Sequence, residues 1–425
     1  MTEPPLPVIP VTELRVGHFV LLDLGWMDHP FPRNNFRITT ARQIETIRAL
    51  GLTRVRIDPA RSDPESEEDG TAAAASSATQ EASPSADPAQ AARLAALAAQ
   101  RRSLQRCERR YHEGARRCKA LLDGAEHEPA RAAGEAQALA GELVAEICGQ
   151  GESAIRLLGD VQGDRGAQHA MNVAVLSLLL GRALGLEAAA LQTLGTAALL
   201  HDVGKLRLPE LVRHKDDAFT PAQLKAYQEH AELGARLVRA MGLPEEVAQA
   251  VAQHHEHADG SGFPTGCLAE AMTPAARVLA LVNRYDRLCN PHHPAKALTP
   301  HEALALLFAR HRAQFEARTL AAFIRMLGVY PPGSIVQLSD GRYAQVQAVN
   351  AARPLKPRVL VHDPTVPRSE ALLLDLQTQP QLSIQRSLRP DQLPRAALDY
   401  LEPRARYCYF FERALSAGDG EGGVP

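Results

Sequence analysis

The sequence predicts a multidomain, mainly α-helical protein with a small α/β domain in front and a small β domain behind. Three observations carry this. Helix-start grammar repeats through the middle, where Thr220-Pro221, Thr273-Pro274 and Thr299-Pro300 each set an N-cap hydroxyl before a Pro at N1. After Tyr330-Pro331-Pro332 the pattern turns to period two. A polar, Ala- and Ser-rich stretch divides the front from the rest. A length of 425 residues suits several domains, and a chain of this size folds without disulfide or metal staples.

Residues 1–60 read as the α/β domain. His18–Leu24 is strand-like, Thr40 and Gln43 form a capping box for a short helix ending near Leu50, and Leu52–Asp58 gives a second strand. Residues 61–90 read as a disordered linker. Asp63–Asp69 carries five acids in seven residues, and the stretch buries too little apolar surface to offset ordering entropy. Residues 91–125 turn to Ala, Leu, Arg and Gln and favour a helix. This is either a signalling helix or coil, which leaves a homodimer open, or a plain solvated helix. Residues 130–330 read as helical throughout. Gln223 and Glu302 complete capping boxes, and Gly185, Gly242 and Gly328 follow apolar runs as C-caps. Residues 331–410 read as the β domain, with Ser339-Asp340-Gly341 as a hairpin turn between Ser334–Leu338 and Arg342–Val349. Further strands follow at Arg358–His362 and Ala371–Leu376. Residues 411–425 are Gly-rich at their end and read as a disordered tail.

Composition removes several function classes. Lys plus Arg total 47 against 49 Asp plus Glu, a net charge of −2, so no basic surface for a nucleic-acid polymer is expected. Aromatics are 4% with one Trp, too few for base-stacking platforms. The six Cys form no C-x-x-C pair, which argues against a disulfide scaffold or a zinc–thiolate site. The start lacks the features of a signal peptide. The longest apolar candidate, Ala170–Leu186, is broken by Asn172, Ser177 and Arg182, so no membrane span is expected. These features predict a soluble, cytoplasmic protein.

Histidine is the informative count. Seven of the 16 lie between His169 and His257. His169, the pair His201-Asp202 with Gly204-Lys205 behind it, His230, and the pair His254-His255 fall on different predicted helices or helix ends. Alone, His169 or His230 would read as an ordinary core or surface histidine. Asp202 is different, because it follows the apolar run Ala197–Leu200 and needs a partner there. A bundle can aim such side chains at one point. Five imidazoles and one carboxylate exceed the needs of a tetrahedral zinc. They fit two metals, with Asp202 as the bridge, holding a bridging hydroxide for displacement at phosphorus. Lys205, three residues past Asp202, can reach the same cavity and offset phosphate charge; the plain alternative is a surface lysine.

His201-Asp202-x-Gly-Lys205, then His254-His255-Glu256-x-x-Asp-Gly-Ser-Gly-Phe263-Pro264, then Ala276-Arg277-Val278 leading to Tyr285-Asp286-x-Leu288, resemble the HD-GYP family of the HD metal-dependent phosphohydrolases. The match covers about residues 150–328. The front unit, through Leu14-Arg15-Val16-Gly17, Trp26 and His29-Pro30-Phe31, looks like a domain often found ahead of HD-GYP modules. The resemblance implies an HD-type helical bundle and two divalent ions, iron or manganese. It also implies hydrolysis of cyclic di-GMP to pGpG or GMP in bacterial signalling. Carried over, the ligands are His169, His201, Asp202, His230, His254 and His255, with Lys205 on substrate phosphate. GGDEF-type cyclase proteins are implied as partners through the Gly262-Phe263-Pro264 loop.

Four departures stand out. Asn283 replaces the family's usual Asp ligand; its amide oxygen can ligate but brings no charge, and Asp286 is the alternative. Arg165 replaces a Glu of trinuclear members, which argues against a third ion. Phe263 replaces the family's Tyr. Pro291-His292-His293-Pro294 replaces a phosphate-binding Arg-Pro-Tyr, leaving His292 and Lys296 as candidate substrate contacts. Three readings follow: a cyclic di-GMP phosphodiesterase, a catalytically weakened receptor that binds cyclic di-GMP or a cyclase, or a phosphohydrolase of another nucleotide.

Overall fold

A computed structural model describes residues 7–22, 35–49, 52, 54–62, 88–149, 153–159 and 163–413. Trp26, His29-Pro30-Phe31, most of the expected linker and the tail beyond Arg413 lie outside the described residues. The chain forms two compact units, Met1–Ser83 and Pro84–Pro425.

In the first unit β1 (Val8–Pro10), β2 (Phe19–Leu21), β3 (Asn35–Arg37), α1 (Ala41–Ala49) and β4 (Arg54–Ile57) follow in chain order. The strands make an antiparallel sheet in the order β1-β4-β2-β3. Val20, Ile38, Ile44, Ile47 and Val55 fill the core between sheet and helix. The Gln43 side chain accepts from the Thr39 and Thr40 amides and fixes the helix start.

The second unit opens with α2 (Pro88–Gly124) and α3 (Pro129–Gly149), then β5 (Ser153–Leu157). The bundle continues through α4 (Arg165–Ala183), α5 (Ala188–Leu200), α6 (Pro221–Gln228), α7 (His230–Ala240), α8 (Glu245–Ala252), α9 (Pro274–Cys289), α10 (Pro300–Arg310) and α11 (Ala317–Leu327). Then come β6 (Ile335–Leu338), β7 (Tyr343–Asn350), β8 (Arg358–Val361), β9 (Leu374–Asp375), β10 (Ile384–Leu388), α12 (Arg395–Leu401) and β11 (Tyr409–Arg413). The capping boxes at Thr220/Gln223 and Thr299/Glu302 are formed, and Thr273 caps the Ala276 amide.

Two expectations are corrected. Residues 331–410 are not a separate β domain. Their strands share one seven-stranded sheet with β5, which lies inside the stretch expected to be helical throughout. Residues 411–413 are not tail either: they end β11, which pairs antiparallel with β5. The physical reason lies in β5, all of whose side chains are buried, so it shows no period-two alternation. Arg156 breaks its apolar reading, yet it is buried because it donates to Glu412 at 3.1 Å from the neighbouring strand. Tyr407–Phe411 belong to the same apolar core as α4 and α9.

That core fixes the helices that carry the site. In α4, Met171, Val173, Val175, Leu176 and Leu180 are fully buried. Each contributes about 1.5–3 kcal/mol relative to exposure. The Asp164 carboxylate accepts from the Ala167 amide at 2.8 Å and sets where α4 begins, and with it the position of His169 one turn in.

Candidate metal centre

Helix ends deliver most of the polar side chains. α5 stops at Leu200, so His201 and Asp202 stand at its end with a tight turn, Val203–Arg207, behind them. His230 opens α7, and His254 and His255 follow α8. His169 comes from α4 and Asn283 from α9. Gly204 permits the convergence. A Cβ there would lie 2.0 Å from the His230 carbonyl oxygen and 2.4 Å from the Gly234 amide nitrogen. Only a residue without a side chain lets the turn carrying Asp202 sit against the start of α7.

The six residues read as ligands come together in two groups that share Asp202: His169, His201 and Asp202, and Asp202, His230, His254 and His255. Asp202 Oδ2 lies 3.7 Å from His169 Nε2 and 3.5 Å from His201 Nε2. Its other oxygen, Oδ1, lies 3.6 Å from His230 Nε2 and 3.7 Å from His254 Nε2. One carboxylate therefore faces a separate histidine group with each oxygen.

The outer nitrogens fix the tautomers. Nδ1–H donates to the Ala198 carbonyl from His201 (2.8 Å), to the Tyr227 carbonyl from His230 (2.5 Å) and to the Val251 carbonyl from His254 (2.6 Å). A carbonyl only accepts, so the proton is on Nδ1 and the Nε2 lone pairs of these rings turn inward. His169 donates from Nδ1 to Asp286 at 2.6 Å. Burial holds the imidazoles of His201, His230 and His255 well below their ordinary value, so they are neutral. Burial acts to raise the Asp202 carboxyl, but Arg287 and Lys205 outweigh it and hold it well below the usual carboxylate range. His255 Nε2 and Asp202 Oδ1 are buried with no hydrogen-bond partner. Inward lone pairs beside an unpartnered carboxylate oxygen are the donor set of a divalent transition metal, and these residues fit one.

The remaining candidates divide. Asn283 is buried, and its Oδ1 lies 3.1 Å from His169 Nε2. Asp286 does not take the ligand's place: it holds the outer nitrogen of His169 and accepts from Asn172 and Asn290, each at 2.9 Å. Lys205 Nζ donates to Asp202 Oδ2 at 2.7 Å. His292 stacks on His214, with ring centroids 4.3 Å apart. Lys296 pairs with Asp217 on the surface and does not line the cavity at the centre, because its segment turns outward after α9. The Phe263 ring stacks on His255 at 4.5 Å, so the loop expected to meet a partner spends its aromatic on the site.

Sequence reasoning gave no site role to Arg287, Glu256 or His214. Arg287 donates from Nη2 to Asp202 Oδ2 and from Nε to Asn283 Oδ1 at 3.0 Å. Its signal was the i,i+4 offset from Asn283 on one helix. Glu256 is fully buried and accepts from the Thr265 amide and hydroxyl, both at 2.7 Å, and from the Cys267 amide. It therefore shapes the loop that presents Phe263. His214 joins His169, Asp202, Lys205, Arg213 and Arg287 around a cavity of about 590 Å³.

The sequence model described as an HD domain matches residues 153–318, the stretch that holds every one of these histidines. A second model, described as a domain of unknown function, matches residues 7–136. Over 358 residues the chain is 29% identical to the cyclic di-GMP phosphodiesterase PA4108 of Pseudomonas aeruginosa, covering 83% of this chain and 84% of that one. It is 32% identical over 151 residues to the cyclic di-GMP phosphodiesterase response regulator RpfG of Xanthomonas campestris, 35% of this chain and 39% of that one. It is also 28% identical over 173 residues to the 3'3'-cGAMP-specific phosphodiesterase 3 of Vibrio cholerae, 40% of this chain and 37% of that one. Among solved structures, the HDG"Y"P protein Bd1817 of Bdellovibrio bacteriovorus aligns with a TM-score of 0.42 at 15% identity, over 75% of this chain and 98% of that one. Among the described residues no helix is long and apolar enough to cross a membrane.

Proposed function

We propose that this protein is a metal-dependent phosphodiesterase that opens cyclic di-GMP to pGpG or GMP. The observation that carries the reading is the shared Asp202, with a histidine group on each oxygen and a cation-lined cavity beside it. The resemblance of most of the chain to PA4108 supports the substrate. His230, His254, His255 and Asp202 would hold a divalent ion, iron or manganese. Bound there, the ion would supply Lewis acidity and a lowered pKa for water at neutral pH.

The chain's own groups do the rest. Lys205 and Arg287 border the cavity and set two positive charges where phosphoryl oxygens would lie, without reorganising during the reaction. His214 is held down to about 4, by burial first and then by His292 and Lys205. It stays neutral at pH 7 and offers a hydrogen bond rather than charge. Hydrolysis forms one P–O bond from water, breaks one P–O ester bond and leaves a proton on the departing oxygen. Docking of a GGDEF-type cyclase on the Gly262-Phe263-Pro264 loop belongs to the same reading, as does action in the cytoplasm.

The test is turnover of cyclic di-GMP by purified protein loaded with Fe²⁺ or Mn²⁺, with 3'3'-cGAMP and linear dinucleotides alongside. His201→Ala with Asp202→Ala should abolish it, and surviving activity refutes the assignment. Faster turnover of a different nucleotide would move the substrate. One observation favours a second reading, a receptor that binds without turnover: Arg287 donates to both Asp202 Oδ2 and Asn283 Oδ1, the two oxygens of the His169 group. Nucleotide binding by calorimetry with no product would select it.

A further inference from the structure

The two histidine groups around Asp202 are unequal. On the Oδ2 side each oxygen donor already meets a cation. Asp202 Oδ2 accepts from Lys205 Nζ at 2.7 Å and from Arg287 Nη2. Asn283 Oδ1 accepts from Arg287 Nε at 3.0 Å and also lies 3.1 Å from His169 Nε2. What is left for a metal is a pair of imidazole nitrogens, His169 Nε2 and His201 Nε2, themselves 3.1 Å apart. On the Oδ1 side the reverse holds. Asp202 Oδ1 and His255 Nε2 are buried and without partners, and His230 Nε2 and His254 Nε2 face each other at 3.3 Å with their protons on the outer nitrogens. The facing nitrogen pairs are alike on the two sides, so the asymmetry lies in the oxygens: Asp202 Oδ1 has no hydrogen-bond partner, whereas Asp202 Oδ2 and Asn283 Oδ1 each accept from a cation.

From this asymmetry we infer that the centre holds a single divalent ion, in the His230–His254–His255 group, and that the Arg287 guanidinium stands in for a second ion beside His169 and His201. The guanidinium is planar and permanently charged, and its fork spans two acceptors at once. Here those acceptors are Asp202 and Asn283, the oxygens a metal in that group would require. Its place on α9, one turn after Asn283, fixes the pairing. A divalent ion in the same group would sit beside two cations with a neutral amide as its extra ligand, so like-charge repulsion opposes it. Arg287 and Asp202 also line the cavity, whereas His230, His254 and His255 do not, so an anionic ligand would meet the guanidinium on the open side.

The inference rests on the metal-dependent reading above, and the experiment separates the two. The full chain is saturated with Mn²⁺, freed of excess metal, and assayed for manganese per chain and by electron paramagnetic resonance. The wild type should hold one ion per chain with an uncoupled single-ion spectrum, whereas Asn283→Asp with Arg287→Ala should hold two and show the exchange-coupled spectrum of an adjacent pair. His254→Ala should lose the single ion and His169→Ala should keep it. Two coupled ions in the wild type overturn the inference and leave the metal-dependent reading standing, as does an ion lost with His169→Ala but kept with His254→Ala. No retained manganese in the wild type or any variant overturns the metal-dependent reading itself, and the inference with it. The wild-type stoichiometry decides the matter even where a variant fails to fold.

Discussion

Replacing Gly204 by Ala tests whether the close approach of the Asp202 turn to α7 builds the centre. The added Cβ would lie 2.0 Å from the His230 carbonyl oxygen and 2.4 Å from the Gly234 nitrogen, both backbone atoms with little freedom to yield. A carbon–oxygen contact relaxes to about 3.3 Å, so turn and helix must part by roughly 1.3 Å. That displacement falls directly between Asp202 and His230, whose facing atoms are 3.6 Å apart. A misplacement of about 1 Å costs on the order of 100-fold in rate, and overpacking of this kind costs about 1–3 kcal/mol or more of stability. The reciprocal change, Gly234→Ala, is the control. Its Cβ would meet a Val251 methyl at 3.0 Å, the Gly204 nitrogen at 3.3 Å and the Gly204 Cα at 3.7 Å, none as close as the backbone atoms facing Gly204. In the interior of a helix it also gains up to about 1 kcal/mol of propensity. The assay is cyclic di-GMP turnover and bound metal on protein whose helical circular dichroism is intact. Gly204→Ala should lose both, and Gly234→Ala should stay within a few-fold of wild type. A folded Gly204→Ala with wild-type metal content and rate, or a Gly234→Ala that is the worse of the two, refutes the reasoning.

Asp286→Asn should leave Mn²⁺ affinity within a few-fold of wild type, since Asp286 fixes the outer nitrogen of His169, which lies outside the group that holds the ion; Mn²⁺ titration checks it, and a loss of about tenfold or more would place a metal on His169. Phe263→Ala should free the His255 ring and lower metal affinity by about tenfold, whereas Phe263→Tyr keeps the stacking and should match wild type. Glu412→Ala should cost about 3–5 kcal/mol, because it strips the buried Arg156 of its partner; a loss of much less in urea denaturation would detach β11 from the core. The pH dependence of that contribution follows from the folded carboxyl. Burial raises it, yet Arg156 and Arg358 outweigh burial and bring it below its ordinary 4.5. The stabilisation is therefore complete above pH 4.5 and is lost as pH falls through the lower folded value, so wild type and Glu412→Ala should converge in strong acid.

The local grammar was legible because it is written in few residues at fixed spacing. Thr-Pro helix starts, capping boxes and the Gly341 turn are formed as read. So are the helix ends that bring the histidines together, since Asp202 after an apolar run already required partners. What failed was anything decided at long range. β5 reads as helix-flanked apolar sequence, and only its pairing with β7 and β11 makes it a strand. Glu412 looked like part of a tail because its partners Arg156 and Arg358 lie 256 and 54 residues away. Asp286 was weighed as a ligand because it and Asn283 are nearly one helical turn apart. Which of the two points at a metal depends on where α4 crosses α9, and no spacing along the chain records that. Arg287 was passed over for a related reason: its charge is ordinary until Asp202 arrives from another helix.

Charge at the centre ties these points to the substrate. Of the ionisable side chains in contact there besides histidine, two are acidic, Asp202 and Asp286, and two are basic, Lys205 and Arg287, so the set is balanced. Adding the one ion inferred for the His230 group leaves an excess of two positive charges, and adding two ions would leave four. A cyclic dinucleotide carries two phosphodiester charges. At the ligand group itself a single ion therefore matches a dianion, and the wider cavity adds positive charge, since six cationic side chains, Lys119, Arg165, Lys205, Arg213, Arg287 and Arg406, face four carboxylates, Asp123, Asp164, Asp202 and Asp286. The same balance explains why no basic surface is needed: attraction for a small dianion is concentrated where Lys205, Arg287 and the histidines meet, and water is excluded from most of them.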